Sequence, residues 1–85
     1  MNINVMDVLL EIIKKYYKQS SDIEINKNTK IKTLKFDSIS FIRIIVEIEE
    51  RLNIQFDDDF LLIEKYEILG DLEKYVLQKL NDSRT

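Results

Sequence analysis

Asp37-Ser38-Ile39 stands where a stretch without periodicity gives way to a strongly apolar helical pattern that runs to Leu52. A serine at that join falls on the first turn of a helix, within reach of a modifying enzyme, and the acid before it is placed to cap the helix. Free N–H groups and the positive end of the helix dipole favour a phosphate attached there, which Asp37 opposes slightly. The hydroxyl has little reactivity of its own, because the chain has no Cys and no His. Without them the commonest base and the thiolate nucleophile are missing, which argues against a self-contained hydrolase or a zinc enzyme.

The other candidate clusters are weaker. Asp57, Asp58 and Asp59 lack the glycine at position six and the bidentate acid at position twelve of a calcium-binding EF-hand loop, and read as charges at the start of a short helix. Lys27, Lys30, Lys32 and Lys35 form a thin basic patch with no interleaved aromatics suited to single-stranded nucleic acid. Tyr16, Tyr17, Tyr66 and Tyr75 keep helical spacing with aliphatics and read as core or rim.

Helices must position the serine. Val5, Val8, Leu9, Ile12, Ile13 and Tyr16 recur at helical spacing, predicting a first helix over residues 4–18, capped by Asn2 or Asn4 and favoured at its start by Asp7. Residues 19–37 read as a long loop of backbone-competing Ser, Asp, Asn and Thr, pinned over the core by Ile23, Ile25, Ile31 and Leu34. A second helix spans residues 38–53. At about 100° per residue, Phe41, Ile44, Ile45, Ile48 and Leu52 gather into a core stripe, while Ile39, Ile42 and Val46 make a second apolar cluster about 60° wide. Glu49 falls between the two. A short third helix over residues 58–66, a fourth over residues 69–80 and a fraying tail over residues 81–85 complete an all-α chain.

Composition bounds the rest. Eighty-five residues, 45% hydrophobic and 34% charged, suit one small folded domain. No apolar run is long enough to span a bilayer and no basic stretch opens a signal peptide, so a cytoplasmic protein without a membrane partner is expected. The net charge is −3, and its sign changes along the chain: residues 1–36 hold seven Lys against four acids, residues 37–85 six Lys or Arg against twelve. An acidic surface repels nucleic acid and suits basic protein partners.

The order of helix, long loop, Asp-Ser-Ile at a helix start, short helix and closing helix resembles the acyl carrier and peptidyl carrier proteins over nearly the whole chain. Leu34-Lys35-Phe36-Asp37-Ser38-Ile39 is similar to the family's Leu-Gly-x-Asp-Ser-Leu, and Gly70-Asp71 to the Gly-Asp step that opens its last helix. The resemblance implies a stand-alone, monomeric carrier domain over residues 1–85, a small bundle of three long helices and one short one. It implies that a phosphopantetheinyl transferase joins 4'-phosphopantetheine from coenzyme A to Ser38, beside the motif residue Asp37. The terminal thiol of the arm then holds acyl or aminoacyl groups delivered by a loading enzyme and consumed by downstream synthase enzymes. Ile39, Ile42 and Val46 are the expected partner-binding surface, with Glu47, Glu49 and Glu50 steering.

Three positions depart from the pattern. Lys35 replaces the usual glycine, implying a differently shaped turn, and Ser40 and Arg43 stand where fatty-acid carriers commonly have acids. A secondary-metabolite or other dedicated pathway therefore fits better than bulk fatty-acid synthesis. The alternative is an unmodified helical adaptor that binds partners through the second helix.

Overall fold

The computed structural model describes residues 4–17 and 24–82. Three α-helices carry the fold: α1 (Val5–Tyr16), α2 (Ser38–Leu52) and α3 (Leu69–Asp82), with 3-10 turns at Ile31–Leu34, Asp58–Leu61 and Ile63–Lys65. Among the described residues there is no strand, only an isolated antiparallel bridge between Lys30 and Ile68. The all-α expectation holds.

α1 starts where the side chain of Asn4 accepts the Asp7 N–H at 3.2 Å and ends at Tyr16, short of the expected residue 18, which lies outside the described residues. Val5, Leu9, Ile12 and Ile13 are buried, and Val8 and Tyr16 pack at the edge of the core. Lys15 pairs with Glu47 at 3.0 Å and Arg51 with Glu11 at 3.2 Å. These pairings run in opposite chain directions, so α1 and α2 are antiparallel. Both pairs are solvated and add little stability, so the core aliphatics hold the helices together.

The loop before α2 is anchored as the aliphatic pattern required: Ile25, Ile31 and Leu34 are buried, while Ile23 lies outside the described residues. Backbone bonds add a second anchor. The Ile31 N–H donates to Glu67 O at 2.9 Å, Leu69 N–H to Thr29 O at 3.0 Å and Gly70 N–H to Lys27 O at 2.8 Å. The loop thereby satisfies N–H groups that the first turn of α3 leaves without helical partners. Gly70 eases this approach, since a Cβ there would lie 3.3 Å from Lys27 O, close enough that the loop would have to give slightly. Asp71 completes the junction, its carboxylate accepting the N–H groups of Glu67 and Ile68 at 3.0 and 3.2 Å.

Two expectations are corrected. The short helix over residues 58–66 is a pair of 3-10 turns separated by Leu62 in an extended conformation. Its side chains explain the break: Phe60 stacks on Tyr75 at 4.2 Å between ring centroids, and Tyr66 is buried against Phe41 at 5.8 Å while donating its hydroxyl to Phe60 O at 2.6 Å. That burial pushes the Tyr66 phenol well above its usual range. At the other end, α3 continues through Asn81 and Asp82, which were expected to fray. The expected tail beyond them lies outside the described residues.

Candidate functional site

The turn leading into α2 is set by Lys35, which takes a left-handed conformation with φ 56° and ψ 37°. Glycine reaches this region without strain, whereas an L side chain costs roughly 1–2 kcal/mol. The lysine thus holds a conformation that a glycine would adopt without this penalty. Phe36 follows, and Asp37 becomes the N-cap, its Oδ1 accepting the Ser40 N–H at 2.7 Å.

Ser38 is the first residue of α2 and is exposed. Among the described residues no group hydrogen-bonds its hydroxyl. The backbone N–H of Ser40, then its side chain, hold the Asp37 carboxyl below the usual carboxylate range, with a smaller contribution from the charge of Arg43. An acid stabilised in its ionised form is a weak base, so Asp37 caps the helix and does not activate the hydroxyl.

Beside this helix tip an open groove of about 380 Å³ is walled by Tyr16, Tyr17, Lys35, Phe36, Ile39 and Arg43. Tyr17 and Phe36 meet edge to face across it at 6.5 Å between centroids. Phe36, Tyr17 and the flanking cations were not singled out as site residues from the sequence. The signal was an aromatic just before the N-cap, which becomes legible only once α1 is placed alongside.

α2 divides its aliphatics as its phase predicted. Phe41, Ile44, Ile45, Ile48 and Leu52 are buried, and Ile39, Ile42 and Val46 are exposed. The three acids expected to steer partners are not equivalent. Glu47 accepts from Lys15 Nζ at 3.0 Å and from the Tyr16 hydroxyl at 3.0 Å, bonds that hold its carboxyl below its ordinary range. Glu49 is half-buried and accepts the Phe56 N–H at 2.7 Å, fixing the chain that leaves α2. Glu50 is exposed. The triple aspartate forms no metal cluster with other acids among the described residues. Asp57 instead pairs with Lys79 at 3.4 Å and accepts the Tyr75 hydroxyl at 3.2 Å.

An all-α bundle with this site has the form of a carrier domain. Residues 7–76 match the family model described as the phosphopantetheine attachment site. The chain belongs to that family and is a phosphopantetheine-carrying carrier protein, with covalent 4'-phosphopantetheine as its cofactor. No curated protein matches the chain. No helix among the described residues is long and apolar enough to cross a membrane.

Proposed function

We propose that Ser38 is the attachment residue and that a phosphopantetheinyl transferase modifies it. The observation that carries this reading is an exposed, uncommitted serine hydroxyl on the first turn of α2, directly after the Asp37 cap. The residues fit the group: Ser38 opens α2 at the positive end of its dipole, and the cations Lys35 and Arg43 border the groove beside that helix tip. In the reaction the Ser38 oxygen bonds to the phosphorus that bears pantetheine, the pyrophosphate bond of coenzyme A breaks, and adenosine 3',5'-bisphosphate leaves. The hydroxyl proton passes to a base of the transferase, because Asp37 is committed to capping.

Once attached, the arm supplies a thiol to a chain that has none, and acyl or aminoacyl thioesters ride on it. The exposed strip of Ile39, Ile42 and Val46 is the surface on which loading and synthase enzymes dock, and a cytoplasmic address follows from the need for coenzyme A. Ser40 and Arg43, in place of acids, support a dedicated biosynthetic pathway over bulk fatty-acid synthesis.

Coexpression with a promiscuous transferase followed by intact-mass measurement tests the assignment. A phosphopantetheine-sized increment should appear in the unaltered chain and disappear in Ser38→Ala. An increment that persists in the variant would move the attachment point elsewhere, and a bare chain under saturating transferase would favour the adaptor.

A further inference from the structure

The acids of α2 suggest a carrier that meets basic partners, but the bonding around Ser38 gives the opposite polarity. Glu47 is neutralised by Lys15, and Glu49, which accepts the Phe56 N–H, is half-buried far along the helix, whereas Asp37, capping the Ser40 N–H, keeps its negative charge beside Ser38. Glu50 is exposed but lies 12 residues beyond Ser38, about 18 Å along the helix axis at a rise of about 1.5 Å per residue. Lys35 and Arg43 set two positive charges against the one negative charge of Asp37, which Arg43 also helps to hold ionised. Lys35 and Arg43 are both exposed, line the same groove beside Ser40, and form no ion pair among the described residues.

A second, larger groove of about 840 Å³ meets the first at Lys35 and Phe36. There Lys30, Lys32 and Lys65 are balanced by Glu64, Glu67 and Asp71, so across the two grooves the excess is one positive charge, Lys35 and Arg43 against Asp37. Arg43 also borders the exposed aliphatics, lying one residue after Ile42 and three before Val46. A partner covering Ser38 therefore meets an apolar strip rimmed by Lys35 and Arg43, which together outweigh Asp37.

We propose that this surface fits an enzyme whose carrier-facing patch is acidic at its rim and apolar at its centre, with Asp or Glu opposite Lys35 and Arg43 and a socket for Ile39 and Ile42. The inference rests on the reading of Ser38 as the attachment residue and adds the charge of the partner. Like charges set against these cations would slow docking, and opposite charges would speed it by steering.

The test uses one promiscuous phosphopantetheinyl transferase in two forms, native and with the basic residues of its carrier-facing surface replaced by Glu. Initial rates of the mass increment are measured on the unaltered chain and on the double variant Lys35→Glu, Arg43→Glu, at low salt and at about 1 M NaCl, where the Debye length is about 3 Å. The acidic-faced form should modify the unaltered chain about tenfold faster than the double variant at low salt, with the preference collapsing at high salt. The native form should show no such preference or the reverse. The milder pair Lys35→Gln, Arg43→Gln, with melting followed by circular dichroism, separates lost charge from lost fold. An acidic-faced transferase that treats the chain and its folded variants alike overturns the charge assignment while Ser38 still gains its arm. An unaltered chain that neither form modifies overturns the Ser38 reading and this inference with it.

Discussion

Ile45 and Val46 are neighbours on α2, yet Ile45 is 0% exposed and Val46 is 44% exposed. The contrast extends along the helix: Ile44 and Ile48 are at most 1% exposed, whereas Ile39 and Ile42 are 67% and 39% exposed. Residue type does not separate these residues, since isoleucine, a β-branched aliphatic, stands in both stripes. Rotation does, because about 100° per residue turns one set toward α1 and α3 and the other toward solvent. The inner stripe stabilises the fold by leaving water; the outer stripe leaves apolar surface for a partner to cover.

Truncating the inner stripe should have the largest effect. Ile45→Ala should cost about 3 kcal/mol in chemical denaturation, the transfer and cavity cost of a fully buried aliphatic. A loss below about 1 kcal/mol would mean that the site collapses around the gap and that the inner stripe is less tightly packed than its burial indicates. Relief of strain at the serine turn comes next. Lys35→Gly should raise stability by about 1 kcal/mol, because the left-handed backbone penalty is removed and is only partly offset by a freer unfolded chain. An unchanged or lowered melting temperature would show that the lysine side chain stabilises the turn through other contacts. The outer stripe should matter least to folding. Val46→Asp should change stability by no more than about 0.5 kcal/mol while slowing transfer by partner enzymes. Unfolding of that variant would erase the distinction between the stripes, and full partner activity in a folded one would remove the docking role.

Much of this contrast was legible in the sequence. The residues that fill the inner stripe, the capping of α2 by Asp37 and the exposure of Ser38 all follow from helical period and cap chemistry, which are local. Pinning of the loop by Ile25, Ile31 and Leu34 was also legible, since large aliphatics in a polar segment have nowhere favourable to go except the core. The segment over residues 58–66 was misjudged because its conformation is decided by distant partners: Tyr75 stacks on Phe60, and Phe41 packs on Tyr66. The same limit applied to the acids of α2. Period placed Glu47 on the outer side and Glu49 between the two apolar stripes, but it could not show that Lys15, Tyr16 and the Phe56 N–H would occupy them.

Sequence by itself determined the three α-helices, the cap before Ser38 and which aliphatics face inward, because these depend on groups within a turn of one another. Tertiary structure decided which charges of α2 are paired and that the loop packs closely on Gly70. It also decided how the chain crosses from α2 to α3. In each case the deciding partner comes from a separate part of the chain and acts only after the helices pack.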